Sequence, residues 1–145
     1  MDVFAERRAR LIGLLEKAEL GAMAFVPGAN FAYLTDVHMH LMERSTLYVV
    51  ARTGATFAVM PALEQLKWSK AVPEAETFYW DDADGPWQAF AELAAAMDKS
   101  LPLGVEGLRL RAAEYMALSS HWGADGVVDA DAAMTDLRLL KDADE

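Results

Sequence analysis

The sequence predicts an α/β fold: a mixed, mostly parallel sheet of about six strands flanked by helices. Three observations lead there. Short apolar runs alternate with longer amphipathic stretches along the chain, the pattern of strand–helix–strand units. One pair of runs, Ser45 to Ala51 and Thr56 to Met60, is separated by the turn Arg52-Thr-Gly54, so a hairpin adds an antiparallel element. A chain of 145 residues with 54% hydrophobic content suits one packed domain that needs no covalent staple.

The elements follow in order. Asp2 is placed to cap a first helix, with Phe4, Leu11, Leu15 and Ala18 as its apolar stripe and Glu6, Arg10 and Lys17 opposite. Gly21 reads as its stop signal. Ala22 to Val26 is a short buried strand closed by Pro27-Gly28, and Asn30 is positioned to cap a short helix from Phe31 to Leu34. The hairpin comes next. Pro61 suits the first turn of a helix running to about Lys70. Thr77 to Trp80 reads as a strand. The loop Asp81 to Gly85 leads to Pro86 and a helix to about Lys99 with Phe90, Leu93, Ala94 and Met97 on its buried face. Leu103 to Glu106 is a strand. Arg111 to Trp122 is a helix with Tyr115, Leu118, Ser119 and Trp122 on one face, and Val127-Val128 is a last strand. Asp129 to Ala133 reads as a linker, and Leu137, Leu140 and Lys141 fall at helical spacing. The expected division is therefore a domain over 1–131 and the start of a junction helix over 132–145. The chain then resembles the front part of a longer protein.

Composition excludes several functions. A net charge of −10 and a pI near 4.7 leave no basic footprint for nucleic acid. No apolar stretch approaches the ~20 residues that span a bilayer, and the charged N-terminus lacks a signal-peptide core. The absence of cysteine removes disulfides, thiolate metal sites and a Cys nucleophile. It is compatible with a reducing cytoplasm, the expected location.

Few residues suggest chemistry. No phosphate loop, dinucleotide fingerprint or Gly-x-Ser-x-Gly elbow is present. Asp82-x-Asp84-Gly85 resembles part of a calcium loop, but Trp80 and Ala91 stand where carboxylates belong, so a solvated turn is the simpler reading. His38-Met-His40 would present both imidazoles to one side of an extended segment, yet a metal would need a third ligand such as Glu43. Polar residues on a loop are the simpler account of this pair. His121 falls opposite the apolar stripe of its helix, in solvent. Arg44 could grip a carboxylate through its planar fork, or merely pair with Glu43 or another nearby acid. Trp68, Trp80 and Trp122 read as core or interface aromatics, with Trp87 the most exposed of the four tryptophans.

One set of motifs carries a resemblance. Pro27-Gly-Ala-Asn-Phe-Ala-Tyr-Leu-Thr35, then Glu43-Arg44 before a strand and Gly turn, Pro61-Ala-Leu-Glu64, Gly104-Val-Glu106, and Leu137-Arg138, Lys141 and Glu145 occur in one order. Together they resemble the creatinase/prolidase N-terminal domain, and the stretch from His38 to Arg44 is most similar to bacterial Xaa-Pro dipeptidases. The resemblance implies a ribonuclease-H-like α/β fold without catalytic residues or a metal of its own. It implies a C-terminal pita-bread domain holding two divalent metals (Mn, Co or Zn) that hydrolyses the bond before proline. It further implies a homodimer in which this domain reaches the partner subunit's active site. Asp36 stands where many relatives have Gly.

The resulting expectation is a non-catalytic domain of a prolidase-like metallopeptidase that serves dimerisation and substrate access. His38, His40 and Arg44 would line the entrance, and Phe31 and Trp87 would lie at an interface. The alternative is a protein-binding module on a pseudo-peptidase that lacks metal ligands. A flavodoxin- or receiver-like domain fits less well, because no acidic pair follows the first strand.

Overall fold

Asp2 starts the first helix through its side chain, whose Oδ1 accepts the Ala5 N–H at 2.8 Å. The computed structural model describes residues 2–139. Helix α1 (Val3–Lys17) buries Leu11 and Leu15 of the expected stripe, with Arg7 in line four residues before, while Phe4 is half-buried and Ala18 exposed. Arg7 tolerates burial because its guanidinium donates to the Tyr33 carbonyl at 2.8 Å and lies 4.0 Å from the Tyr33 ring centroid. The reversal after α1 falls on Glu19, at φ 58°, and not on Gly21, which instead packs against Leu101.

Strand β1 (Ala22–Phe25) is followed by α2 (Ala29–Thr35), β2 (Leu47–Ala51), β3 (Thr56–Pro61) and α3 (Gln65–Ala71). Then come β4 (Glu76–Trp80), α4 (Trp87–Ala96), β5 (Leu103–Val105), α5 (Ala112–Trp122), β6 (Val127–Asp129) and α6 (Asp131–Leu139). One capping expectation fails, and Pro61 sits a little earlier than expected. Gly28 precedes α2 without a side-chain cap, and Asn30 lies inside the helix with its amide engaged elsewhere. Pro61 ends β3, paired with Trp80, and a short 3₁₀ turn (Ala62–Glu64) leads into α3. Asp36 ends α2 at φ 61°, ψ 18°, so an aspartate takes the left-handed position that glycine fills most cheaply.

The sheet order is β4-β3-β2-β1-β5-β6. β2 runs antiparallel to both neighbours, while β1·β5, β3·β4 and β5·β6 are parallel. Period two along β1 sends Met23 and Phe25 to one face and Ala22 and Ala24 to the other. The first face packs under α1, α2, α3 and α6 through Leu11, Leu15, Phe31, Trp68, Met134 and Leu137. The second packs under α4 and α5 through Phe90, Leu93, Ala117 and Leu118. Helices on both faces explain why the central strands are apolar throughout. Phe31, Tyr48 and Trp68 form an aromatic trio with centroids 5.7–6.0 Å apart.

Two further expectations change. Asp129 to Ala133 is no linker: Ala130 N donates to Val105 O at 2.8 Å, and α6 begins at Asp131. Met134 and Leu137 are core residues, so α6 belongs to the body of the domain; Leu140 and Lys141 lie outside the described residues. Helix α5 buries Glu114, Ala117 and Leu118, while Tyr115 is 39% exposed. The polar anchor at Glu114 sets that rotation. No helix among the described residues is long and apolar enough to cross a membrane.

Candidate functional site

In a parallel arrangement the carboxyl ends of the strands gather the loops, and here β1, β5 and β6 bring three of them together. Val26-Pro27-Gly28 leaves β1, Glu106 leaves β5, and Asp129 closes β6. Glu106 is 1% exposed. Its Oε1 accepts Val26 N and its Oε2 accepts Asn30 Nδ2, each at 2.9 Å. Burial pushes this carboxyl above its ordinary range, and the two donors and the Arg109 charge draw it part of the way back.

Asn30 passes the connection on. Its Oδ1 accepts Arg138 Nη1 at 3.1 Å, and that guanidinium lies 5.7 Å from the Tyr33 centroid. Four residues from the motifs quoted above, Asn30, Tyr33, Glu106 and Arg138, therefore meet at one place and tie β5, α2 and α6 together. Arg109 completes the cluster by donating from Nη2 to Pro27 O at 2.7 Å. Its guanidinium lies over Gly28, where a Cβ would come within 2.5 Å of Nη2, so a side chain there would displace it.

Beside this cluster runs an open groove of about 1410 Å³, with Arg7, Tyr33, His38, His40, Arg109 and Arg138 among its lining residues. His38 and His40 are brought together on its rim. His38 Nε2 lies 3.6 Å from Asp36 Oδ1, with both side chains mostly in water, so the pairing is weak. Among the described residues no three His, Cys, Asp or Glu side chains gather closely enough to hold a metal, so Glu43 does not complete a ligand set with the two histidines.

Arg44 is not on this groove. It faces a smaller hollow of about 240 Å³ with Leu63, Trp80 and Asp82. Its fork is already filled: Nε donates to Asp82 Oδ1 at 3.0 Å and Nη2 to Oδ2 at 2.7 Å, with Glu43 farther off at 3.9 Å. Arg44 holds the Asp82 carboxyl below its ordinary range, chiefly through that hydrogen bond. Asp82 is thus engaged, and Asp81 Oδ1 accepts Asp84 N at 3.0 Å in a turn that Gly85 closes at φ 74°.

The two residues expected at an interface part company. Trp87, at the first position of α4, is 58% exposed. Phe31 is fully buried against Tyr48 and Trp68 and offers no surface to a partner, because α2 turns it toward the sheet. Sequence reasoning missed Glu114, which is fully buried and joined to Arg111 and Ser45. The Arg111-x-x-Glu114 spacing signals a helical ion pair, but nothing in it distinguishes a buried one from a solvated one.

The creatinase/prolidase N-terminal domain family matches residues 7–140 of the chain. Among solved structures, the chain is similar to the dipeptidase PepE from Mycobacterium ulcerans at 26% identity and TM-score 0.81, covering 99% of this chain and 38% of that one. It shares the fold of a prolidase from Thermococcus sibiricus at 21% identity and TM-score 0.84, covering 100% and 39% of the two chains. It also shares the fold of the creatinase/prolidase N-terminal domain of an X-Pro dipeptidase from Streptococcus pyogenes, at 18% identity and TM-score 0.76, covering 90% and 97%. The chain thus spans well under half the length of the first two proteins. No curated protein sequence matches it.

Proposed function

We propose a function from one premise: the chain belongs to the creatinase/prolidase N-terminal domain family. The reading is that it forms the non-catalytic front domain of an Xaa-Pro dipeptidase-like metallopeptidase. The domain runs through α6, past the boundary near 131 and 132 that the spacing suggested, and leads on toward a pita-bread domain that carries two divalent metals and cleaves Xaa-Pro dipeptides. In the cytoplasmic homodimer this domain contributes to assembly, with Trp87 as a contact, and its 36–46 segment lies at the partner's substrate entrance.

The observation that carries this reading is the alignment of nearly the whole chain with little more than a third of two longer dipeptidase-type proteins. Two features of the chain support it. The motif residues Asn30, Glu106 and Arg138 are spent on fixing α6, which suits a junction better than a reaction centre. His38 and His40 stand exposed on a groove rim, where they are free to meet a ligand.

The test compares the longer protein encoded with this domain and the 145-residue chain itself. Both are assayed with excess Mn and an Xaa-Pro dipeptide. Metal-dependent hydrolysis by the longer protein alone is expected. Turnover by the isolated chain, or none by the metal-loaded longer protein, overturns the reading, and the second result favours a binding module.

A further inference from the structure

We infer that Glu114 is a positioning residue: from inside the domain it fixes the shape of the 36–46 segment, and with it the exposed stretch that carries His38 and His40. The inference rests on the reading that this segment serves substrate access.

The segment has no helix or strand over its 11 residues, Asp36 to Thr46. A stretch of this kind keeps one shape only where tethers offset its conformational entropy. Its entry is fixed locally. Thr35 Oγ1 accepts Val37 N at 3.1 Å while donating to Phe31 O at 2.7 Å, and Val37 is buried.

Its exit is fixed from α5. The Ser45 hydroxyl donates to Glu114 Oε2 at 2.9 Å. Arg111 donates to the same carboxylate twice, from Nε to Oε1 at 2.7 Å and from Nη2 to Oε2 at 3.1 Å. That double grip sets the plane of the guanidinium and aims its remaining nitrogen, Nη1, at the Met42 carbonyl, which accepts from it. One carboxylate therefore holds Ser45 directly and Met42 through Arg111. Trp80 Nε1 adds a bond to Ser45 O at 3.0 Å, and the Arg44–Asp82 pair secures the residue between.

A fully buried carboxylate is retained against its desolvation cost only where its partners compensate it. Here both partners lead to the 36–46 segment: Ser45 lies within it, and Arg111 reaches it at Met42. Between the two anchors the histidines face solvent; the His38 side chain is 79% exposed. Met39 and Leu41 pack against the two cores, and the Trp80 and Arg44 bonds remain, so losing the Glu114 grip loosens the exposed residues between these contacts and leaves β1 and β2 in place.

Backbone 15N relaxation on the 145-residue chain tests this directly, comparing wild type with Glu114→Gln. Order parameters over residues 38–44 are expected to fall from about 0.8 to below about 0.6, with β1 and β2 unchanged at about 0.85. Unchanged loop order overturns the inference. So does a matching fall across β1 and β2, which marks a merely structural role. If Glu114→Gln fails to fold, the double variant Arg111→Gln with Glu114→Gln buries no charge, and the same pattern is required of it. Activity of the longer enzyme separates the two proposals. A loosened loop with kcat/KM unchanged for an Xaa-Pro dipeptide upholds positioning by Glu114 and rejects substrate access by the segment.

Discussion

Arg138 reaches back across 108 positions of sequence to donate its Nη1 to the side-chain oxygen of Asn30, 3.1 Å away. Asn30 in turn donates to Glu106, so one amide joins a helix near the chain's end to a buried carboxylate at the tip of β5.

Asn30→Ala removes that bridge and leaves Glu106 with Val26 N as its remaining hydrogen-bond donor. The expected loss is about 1–3 kcal/mol of stability, the range for a buried acceptor deprived of a partner. Urea unfolding at neutral pH checks it through a lowered midpoint at constant slope. A loss below about 0.5 kcal/mol would mean that the bridge does not hold α6.

Glu106 gives a pH dependence of defined sign. Burial raises its folded pKa above the ordinary value of 4.5, so the folded state keeps the proton longer than the unfolded chain does. Its contribution is fully present below the unfolded pKa and is lost as pH rises through the folded pKa. Glu106→Gln lacks this term. The stability of the variant relative to wild type should therefore rise as pH increases from the ordinary value of 4.5 up through the raised folded value. Subtracting the two profiles cancels acids with the opposite trend, such as Asp82 and Asp98. Parallel profiles would contradict the assignment.

At the exposed pair the expectation concerns titration. Asp82 sits below its ordinary value of 3.8 because Arg44 donates to it. In Arg44→Ala the Asp82 carboxyl should return toward that value, as followed by carboxyl carbon chemical shifts during an acid titration. Added salt should weaken the effect in wild type, since the pair is open to solvent. An Asp82 titration that ignores the substitution would show that the pair does not form in solution.

Gly104 is expected to resist substitution for lack of space. An added Cβ would lie 2.7 Å from Ala130 Cβ and 3.0 Å from Leu20 Cδ1, in the middle of β5. Gly104→Ala should cost about 1–3 kcal/mol, as overpacking does. Gly28→Ala meets first the end of the flexible Arg109 side chain and should cost about 1 kcal/mol or less, the worth of the bond to Pro27. Thermal melts of the two variants side by side decide it, and equal losses would refute the distinction.

How much of this was legible depends on the range of the interaction. The sheet-forming runs, the hairpin and the Phe90–Met97 stripe are written in local periodicity, and the structure contains them. Caps fared worse. Asn30 fits a cap by type, but its amide is worth more to a buried carboxylate 76 residues away. Leu118 and Trp122 do pack against the core, but Tyr115 is exposed, and the buried Glu114 beside it is held by Ser45, 69 residues back. At the candidate site, the exposure of His38 and His40 followed from their polar, irregular context, while the capture of Arg44 by Asp82 depended on a fold that places β4 beside β3.

The sequence by itself determined the α/β class and the order of the elements, because hydrophobic period and turn chemistry act over a few residues, while the family came from the resemblance of its ordered motifs. Only the tertiary structure decided which polar groups are buried and which side chains share a groove. Nothing local marks Glu106 and Glu114 as buried; distant strands and helices remove water from around them and supply Val26, Asn30, Arg111 and Ser45 in its place. Desolvation is a property of the assembled fold, and no local pattern of residues contains it.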